Sequence, residues 1–571
     1  MPTVYVNDQP VELGAGEKLN CIQAAQKAGV EIPHYCWHPS LSVVASCRMC
    51  LVEVGDKKPD GTVAMVPKVV PGCQTPVKDG TVIVTNSPKV KAAQAGTLEY
   101  LLLNHPLDCP VCDQAGECGL QDFSFKYGRA YSRLAEPKNQ KVDKPHIGEQ
   151  ITLFTDRCIM CTRCVRFTRE ISGTAELQVV SRGSGEEIDI FPGNPCNNKL
   201  AGNVVDLCPV GALCSKDFLY EQRVWWLKGK NSVCAGCSTG CSIRVDQNKD
   251  VVYRLKPRSN PLAQGEFMCD EGRFGWKYIH SEHRLKFPMQ KLPGGMSAVS
   301  WPQILPAVKQ ALAEAAQRAP DKLGVVLSPF MTVEEAYLLS KYVKSLSSGA
   351  KLWMTPPRVV GEDDQYPKDL HGNATLNPKF TIRAEKAPNR AGVEAVLKHF
   401  GGEIAPLDTA LAQVANGAIE AIYLVGGDPE GWITPDQTKP LAKAKLVVVQ
   451  DLLDSPALPQ ATFVLPGTSW AERDGTFVNH AGLAQAIHRG LRSPGDAWPD
   501  GRIAYELAGR SGMFHAVTIR QEIAGVIPSL AALIVGDLGD EGVFLKSNDE
   551  PAGQSPAAAN GAVPVAGGSR S

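Results

Sequence analysis

The sequence predicts a multidomain chain that combines small α+β modules carrying cysteine groups with a later α/β domain that has a mainly parallel sheet. Length is the first reason, because 571 residues at roughly 100–200 residues per domain give about three to five domains. Cysteine placement is the second, because all 18 cysteines lie at or before Cys269. Beyond that residue, strand-like runs such as KLGVVLS, AIYLVGG and KLVVVQ alternate with helical ones such as VEEAYLLSKYVKSL.

The charge of the chain argues against a nucleic-acid or anionic-membrane partner. Its 59 basic and 60 acidic residues nearly cancel, and no long basic run or aromatic-interleaved basic stripe occurs. The start, MPTVYVNDQP, lacks the basic and apolar regions of a signal peptide. No apolar run approaches the roughly 20 residues that a membrane span needs. We therefore expect a soluble, cytosolic chain without a transmembrane segment.

The cysteines are better explained as metal ligands than as disulfides. Most of them fall in closely spaced CxxC-type groups, which chelate metals well, and nothing in the sequence indicates secretion. Three cysteines stand outside every group, and we expect them to be small buried hydrophobes: Cys21, Cys196 and Cys214.

The first cysteine group lies in a segment that predicts a hairpin, a helix and a cysteine loop opening into a strand. VYVNDQPVEL holds two short alternating stretches, and EKLNCIQAAQKAGV shows helical spacing of apolar residues. This order resembles a plant-type [2Fe–2S] ferredoxin domain, with ten residues rather than four between the first two cysteines, as in the respiratory and hydrogenase branch of that fold. A zinc ribbon is the alternative, but ribbons pair two CxxC knuckles, and two of these cysteines stand alone. The resemblance implies the ligands Cys36, Cys47, Cys50 and Cys73.

The second group is HPLDCPVCDQAGEC, which follows a predicted helix over residues 88–104. It places one imidazole and three thiols in a single short loop: His105, Cys109, Cys112 and Cys118. A histidine alone is more often a core or capping residue, but three nearby cysteines reverse that expectation. Zinc would accept this set as well as a four-iron cluster would. The cysteine groups on both sides favour the cluster.

The third group comprises TDRCIMCTRCVRFTRE and the later segment VVDLCPVGAL. It resembles a bacterial ferredoxin, in which the fourth cysteine of one CxxCxxCxxxCP run binds the other cluster. The resemblance implies one surviving [4Fe–4S] cluster, bound by Cys158, Cys161, Cys164 and Cys208. The lost cluster's ligand positions correspond to Thr168, Asn198, Ala201 and Val204. If Cys208 were instead a free thiol, the surviving cluster would lack its fourth ligand.

The fourth group comprises VWWLKGKNSVCAGCSTGCSIRV and EFMCDEGRFGW. Its spacing resembles the N-terminal [4Fe–4S] module of molybdopterin oxidoreductases, which implies the ligands Cys234, Cys237, Cys241 and Cys269. The stretch ATFVLPGTSWAERDGTFVNHAGLAQ resembles the signature of the same fold, where it helps to surround the pterin. The expected fold class is therefore α+β ferredoxin-like N-terminal domains followed by an α/β molybdopterin-oxidoreductase-like domain.

Taken in order, these modules resemble the large iron–sulfur subunit of respiratory complex I, over residues 1 to about 545. The resemblance implies NADH:quinone oxidoreductase activity in a multi-subunit complex. One [2Fe–2S] and three [4Fe–4S] clusters would carry electrons from a flavin- and NADH-binding subunit toward quinone through further iron–sulfur subunits. The chain would have no catalytic residue of its own and would lie in a peripheral arm on the cytoplasmic side of the inner (plasma) membrane. One departure is Ala45, which stands where the family usually has glycine.

Three other functions compete with this one. An NAD-linked formate dehydrogenase shares the cluster modules and pterin fold, but such enzymes normally keep both ferredoxin-type clusters and bind their metal through cysteine or selenocysteine. Cluster-rich hydrogenases resemble the N-terminal third but need further cysteines, and none follows Cys269. A non-enzymatic redox sensor or scaffold would not associate with flavin and quinone-reducing subunits. Residues 270–571 contain no cysteine to bind molybdenum or tungsten, and the domain is short for one that clasps two pterins. We therefore expect neither metal there, with serine or aspartate ligation as the open alternative.

The expected domains follow the cysteine groups, with a tail that has almost no large apolar residues and should be disordered. They are a [2Fe–2S] ferredoxin-like (β-grasp) domain at 1–85, the one-His three-Cys domain at 86–145, the single-cluster ferredoxin-type domain at 146–225, the molybdopterin-type [4Fe–4S] module at 226–285, the truncated α/β domain at 286–546, and the tail at 547–571.

Overall fold

The computed structural model describes residues 1–369 and 371–545, so the tail predicted over 547–571 lies outside the described residues. The chain divides into two compact units. Among the described residues, the first contains Met1–Leu227 and Gln365–Phe380, and the second contains Lys228–Asp364 and 381–545. The first three cysteine groups therefore belong to the first unit and the fourth to the second. The finer division into six segments stays a prediction.

The first unit is built from short elements. Its strands are β1 (Thr3–Val6), β2 (Gln9–Glu12), β3 (Leu51–Lys57), β4 (Val63–Met65), β5 (Val70–Pro71), β6 (Thr81–Val84), β7 (Ile151–Leu153), β8 (Leu177–Val180), β9 (Glu187–Ile190) and β10 (Leu213–Ser215). Its helices are α1 (Cys21–Lys27), α2 (Pro88–Leu103), α3 (Gly119–Tyr127), α4 (Arg163–Phe167) and α5 (Asn203–Leu207).

The N-terminal sheet contains the predicted hairpin and supports the predicted helix. Its order is β2-β1-β6-β3-β4, with β5 paired to β3. The hairpin turn residues Asn7 and Asp8 have φ of 47° and 67°, which gives the turn the twist that two paired strands need. Helix α1 begins with a capping box between Asn20 and Gln23. Apolar side chains of helix and sheet share one core, which includes Val4, Val6, Ile22, Ala25, Val52 and Ile83.

The rest of the first unit consists of loops held by short paired strands. Helix α2 is the helix predicted before His105. Strand β7 pairs with β10 and β8 with β9, both antiparallel. Helix α4 continues directly into a π-helical turn, Thr168–Ser172. The late segment 365–380 joins this unit through the Lys368 N–H, which donates to the Ser172 carbonyl at 2.9 Å.

The second unit contains the remaining elements. Its strands are β11 (Lys228–Val233), β12 (Ser242–Asn248), β13 (Val251–Pro257), β14 (Met289–Leu292), β15 (Gly295–Ala298), β16 (Leu323–Leu327), β17 (Lys351–Met354), β18 (Asp364–Tyr366), β19 (Phe380–Ile382), β20 (Glu403–Ile404), β21 (Ala421–Val425), β22 (Leu446–Asp451), β23 (Phe463–Pro466), β24 (Gly475–Val478), β25 (Leu483–Ile487) and β26 (Val543–Phe544), with β18 and β19 at its border with 365–380. Its helices are α6 (Asp270–Phe274), α7 (Trp301–Arg318), α8 (Val333–Leu346), α9 (Arg390–His399), α10 (Leu407–Ala415), α11 (Asp500–Leu507) and α12 (Ala516–Val526).

An eight-stranded sheet organises the second unit. Its order is β15-β14-β23-β22-β21-β16-β17-β20, and every pair from β23 to β20 is parallel. The predicted α/β domain with a mainly parallel sheet is therefore confirmed. Alternate residues of β16 enter separate cores, with Val325 and Leu327 in one and Val326 in the other, so the sheet is covered on both faces. Within residues 1–369 and 371–545, no helix has the length and apolar character needed to cross a membrane.

Candidate metal centres

The first predicted site gathers its four cysteines around the start of β3. Cys50 directly precedes β3 and Cys73 follows β5, and because these strands pair, the two thiols meet. The Cys36 thiol contacts those of Cys47 and Cys73, and the Cys36 N–H donates to Cys47 Sγ at 3.5 Å. The hydrogen bonds within these pairs lower the pKa of Cys36 and Cys50 and raise the pKa of their partners. Thiols that contact one another in this way suit a metal-ligand set.

The loop of the first site explains the usual glycine at position 45. Ala45 has φ of 52° and is buried, so a residue with a side chain occupies the left-handed region. This conformation costs a residue with a Cβ roughly 1–2 kcal/mol. The departure from glycine therefore strains the loop and leaves the four thiols in place.

The second site is arranged between two helices. Helix α2 ends just before His105, and Cys118 is the residue before α3. The Nδ1 atom of His105 is buried without a hydrogen-bond partner. Burial, with Lys138 nearby, lowers the pKa of His105 to about 4, so the imidazole is neutral and can bind a metal.

The three thiols of the second site differ in exposure. Cys112 and Cys118 are buried, and burial raises the pKa of both, that of Cys118 to about 11. Cys109 is exposed. Arg157 lies near Cys112 and also influences His105, which puts the imidazole and this thiol beside a common guanidinium. An orphaned ring nitrogen together with clustered thiols fits a metal group.

The third site is a cavity lined by all four predicted ligands. Cys158 follows a 3-10 turn, Cys164 lies in α4, and Cys208 ends α5. Together with Cys161 they line a partly open pocket of about 350 Å³, whose other lining residues include the apolar Leu153 and Ile188. Burial raises the pKa of Cys158 to about 12 and of Cys161 to about 11. A bound cluster would account for both the four converging thiols and the space between them, whereas free buried thiols would account for neither.

The positions predicted for the ligands of a lost ferredoxin-type cluster are occupied by hydrogen-bonded or buried residues. A run of hydrogen bonds, which we call the polar network, joins Thr168, Ser172, Thr174, Glu176 and Asn198. In it the Asn198 amide donates to Glu176 Oε1 at 3.1 Å, and the Thr174 hydroxyl donates to Oε2 at 2.5 Å. The other two positions predicted for the lost cluster, Ala201 and Val204, are buried.

The fourth site is the most completely buried. Cys234 follows β11, Cys241 precedes β12, and Cys269 precedes α6. With Cys237 they line about 300 Å³ of empty space. Burial raises the pKa of Cys234 to about 12 and moves the pKa of Cys241 and Cys269 well above the usual range.

Two features shape this fourth cavity. A Cβ on Gly272 would lie 2.8 Å from Cys234 Sγ, so the close approach of the backbone requires glycine there. The signature stretch covers the cysteine loop, because the Asn479 amide donates to the Thr239 carbonyl at 3.0 Å and the Gln485 amide to the Gly240 carbonyl at 2.7 Å. The C-terminal domain thus closes over the fourth site.

Within residues 1–369 and 371–545, no three or more His, Cys, Asp or Glu side chains converge as on one metal ion. A four-iron cluster binds its protein ligands through different irons, so those ligands surround a space and do not meet at one point. The third and fourth cavities have this arrangement. The remaining cysteines differ, because Cys21 and Cys214 direct their thiols at backbone carbonyls, of Thr75 at 3.4 Å and of Gly211 at 3.7 Å.

The third site adjoins the first through side chains of the third ligand motif, and Arg166 contacts ligand residues of both sites. Arg166 Nη2 donates to the carbonyl of Cys36 at 2.5 Å and to that of Cys161 at 3.2 Å. These carbonyls belong to predicted ligands of two different sites. The guanidinium is therefore one direct contact between them.

The third site also adjoins the second, through both a side-chain ion pair and the backbone. The guanidinium of Arg157, the residue before Cys158, contacts the carboxylate of Asp108, the residue before Cys109, at 2.9 Å. The Gly119 N–H donates to the Pro209 carbonyl at 3.1 Å. Gly119 directly follows Cys118, and Pro209 directly follows Cys208. Although the chain reaches the second site before the third, the third contacts both of the other sites in the first unit.

Five family models match the chain. They are described as a 2Fe-2S iron-sulfur cluster binding domain over 1–88, the NADH-ubiquinone oxidoreductase-G iron-sulfur binding region over 94–133, the NADH-quinone oxidoreductase subunit 3 ferredoxin-like domain over 148–214, the molybdopterin oxidoreductase Fe4S4 domain over 227–281, and molybdopterin oxidoreductase over 396–510. They confirm the predicted fold class and the presence of both types of iron–sulfur domain.

A relative in potato decides the family. The mitochondrial NADH dehydrogenase [ubiquinone] iron-sulfur protein 1 of Solanum tuberosum is 30% identical over 631 residues, which cover 92% of this chain and 83% of that protein. The chain belongs to this family, the large iron–sulfur subunit of complex I. The resemblance found in the sequence is therefore confirmed.

Other members of the family align over less of their own length. An NADH-quinone oxidoreductase subunit of Rickettsia felis is 36% identical over 60% of this chain and 49% of its own. The NADH-ubiquinone oxidoreductase 75 kDa subunit of Reclinomonas americana is 38% identical over 66% of this chain and 53% of its own. The chain thus spans about half the length of these two relatives. A solved NAD⁺-reducing [NiFe]-hydrogenase chain matches at 24% identity with a TM-score of 0.33, over 39% of this chain and 91% of that one, which is too weak to carry an argument.

Sequence reasoning missed the charged residues around the sites. Arg163 and Arg166 lie within the third ligand motif, CTRCVRF, so basic residues between thiol ligands were a visible signal. Their contacts with the first site were not visible, because the partners lie more than a hundred residues away. Lys138 likewise reaches back to the end of α2.

Proposed function

We propose that this chain conducts electrons as the large iron–sulfur subunit of an NADH:quinone oxidoreductase. Electrons would come from a flavin- and NADH-binding partner and leave toward quinone through downstream iron–sulfur subunits. The observation that carries the proposal is the direct hydrogen-bonded contact of the third site with the first and the second. Electron transfer along a chain of clusters needs neighbouring sites that lie close together, whereas structural metal sites have no such requirement. The names of the relatives, which specify NADH and quinone, support the substrates.

We infer one [2Fe–2S] and three [4Fe–4S] clusters. When bound, such clusters accept and release single electrons. The proposed ligands are Cys36, Cys47, Cys50 and Cys73 for the two-iron cluster, and His105, Cys109, Cys112 and Cys118, then Cys158, Cys161, Cys164 and Cys208, then Cys234, Cys237, Cys241 and Cys269 for the four-iron clusters.

Backbone donors at these sites would favour an added electron. The N–H groups of Met160, Gly236 and Gly272 each donate to a predicted ligand sulfur at 3.4 Å. Hydrogen bonds to cluster sulfurs stabilise negative charge and raise the reduction potential. Replacing one thiolate by the neutral His105 removes a negative charge and acts in the same direction at the second site.

The chain conducts and does not transform a substrate. We infer no catalytic residue, and no molybdenum or tungsten in the α/β domain, whose described residues after Cys269 contain no cysteine. The second unit would cover the fourth site and pack against partner subunits. Location on the cytoplasmic side of the membrane, in the peripheral arm of the complex, is part of this proposal.

Isolation of the assembly tests the proposal. An affinity tag on this chain should recover a membrane-bound complex that contains flavin and oxidises NADH with a quinone as acceptor. A matched Cys161→Ser chain should still be expressed, but NADH oxidation by quinone should be lost while NADH oxidation by a soluble acceptor at the flavin continues. Recovery of the chain without flavin-bearing partners would favour a sensor or scaffold, and formate oxidation would favour the dehydrogenase alternative.

A further inference from the structure

Two arginines of one short helix lie between the first and third sites. Arg166 belongs to α4 and is 8% exposed. Its Nη2 donates to the carbonyls of Cys36 and Cys161, and its Nη1 donates to the carbonyl of Ser42 at 2.5 Å. One buried side chain therefore binds backbone carbonyls of both the first and the third site.

Arg163, which is half-buried, repeats the arrangement one turn earlier. Its Nη2 donates to the Trp37 carbonyl at 2.5 Å and its Nη1 to the Leu207 carbonyl at 3.2 Å. Trp37 follows the ligand Cys36, and Leu207 precedes the ligand Cys208. The two guanidinium groups thus fasten the Cys36 loop to both parts of the third ligand set.

These bonds leave positive charge between the sites. The donors described for Arg163 and Arg166 all go to neutral carbonyls, and within residues 1–369 and 371–545 neither guanidinium has a carboxylate at ion-pair distance. A buried cation beside an anionic group acts strongly, because little water screens it. Each arginine therefore stabilises negative charge added to the first or the third site.

We propose that Arg166, with Arg163 beside it, is a positioning residue that fixes the first and third sites relative to each other and raises the reduction potential at both. The proposal rests on the ligand sets assigned above. The fixed fork of a guanidinium can donate to several carbonyls in set directions, whereas an ammonium of equal charge has no such fork. Charge and geometry therefore make separate contributions, and substitutions separate them.

The test compares three substitutions in the full chain carrying its iron and sulfide. Arg166→Gln removes both charge and fork, Arg166→Lys removes only the fork, and Arg169→Gln removes a charge from an exposed side chain three residues later. Redox titration followed by electron paramagnetic resonance gives the potential of each site. The same spectra report the magnetic interaction between the two reduced sites.

Arg166→Gln should shift the potentials of the first and third sites to more negative values and weaken their magnetic interaction, while the fourth site keeps its potential. Arg166→Lys should restore most of the potentials but not the interaction. Arg169→Gln should change neither. A shift at only one site, or a shift equal to that of Arg169→Gln, would overturn the proposal.

The ligand assignment is tested separately from the arginine role. If Arg166→Gln prevents assembly, Arg166→Lys carries the test, and an unchanged magnetic interaction in it would overturn the positioning role. Absence of a two-iron signal from the unsubstituted chain would overturn the ligand assignment and the arginine proposal with it. Both signals present with unchanged potentials in the variants would overturn only the arginine proposal.

Discussion

The two halves of the ferredoxin-like region differ in what occupies their interior. On one side, four cysteines line a partly open pocket of about 350 Å³. On the other, the polar network fills the positions where a second ligand set would lie, and Glu176 accepts hydrogen bonds from both Thr174 and Asn198. The difference teaches that a half without the ligands for a cluster packs polar side chains together, because an empty polar hole would be costly.

The largest expected effect comes from breaking the cysteine-lined half. Cys164→Ser should remove about four iron atoms per chain and destabilise the region, because the cavity then loses its occupant. Cys196→Ser is the matched control, since Cys196 is also a buried cysteine of this region but belongs to no ligand set. Iron analysis and visible spectra measure the result. Equal iron loss in both variants would contradict the assignment.

Restoring cysteine ligands to the filled half should make it bind a cluster, as the cysteine-lined half does. Cysteines at Thr168, Asn198, Ala201 and Val204 would rebuild the ligand set of a second cubane, and about four additional iron atoms should bind. The substitution also removes Asn198 from the polar network, which frees part of the space. A folded variant with unchanged iron and sulfide would show that the backbone no longer follows a two-cluster path.

A smaller effect is expected from disturbing the polar network without touching a ligand. Glu176→Ala leaves the half-buried donors of Thr174 and Asn198 without their acceptor, which should cost about 1–3 kcal/mol. Thermal unfolding of the iron-loaded chain should show a lower midpoint, with unchanged iron content. Glu149→Ala, at an exposed carboxylate, is the control and should have little effect. Iron loss in Glu176→Ala would mean that the two halves are not independent.

The smallest effect concerns backbone strain in the cysteine-lined half. Thr162, between Cys161 and Arg163, has φ of 60° although it is β-branched. Thr162→Gly should relieve that strain and raise stability by at most about 1 kcal/mol, because glycine also loses more chain entropy on folding. Thermal unfolding is the measurement. A clear loss of stability would mean that the threonine side chain contributes packing that outweighs the strain.

Sequence reasoning succeeded where the determinants were local. The hairpin at Asn7 and Asp8, helix α2 before His105 and the buried strands β16, β21 and β22 follow from short-range patterns. The candidate ligands were visible for the same reason, since most neighbouring ligands have only two to five residues between them. These ligand assignments stay predictions in their details.

What the sequence could not provide depends on distant partners. The bond from Arg166 to the Cys36 carbonyl joins residues 130 positions apart. Segment 365–380 belongs to the first unit although the chain reaches it from the second. Asn198 could be recognised as a lost ligand position, but its bond to Glu176 could not. Such contacts arise when elements pack, so no local pattern encodes them.

Metal analysis of the pure, fully loaded chain tests the central claim most directly. One two-iron and three four-iron clusters predict about 14 iron atoms per chain, with matching sulfide and no molybdenum or tungsten. A value near 18 would mean that the filled half also binds a cluster, and a value near 10 would mean that one of the proposed four-iron ligand sets is empty. Near-stoichiometric molybdenum or tungsten would contradict the account and favour a formate dehydrogenase.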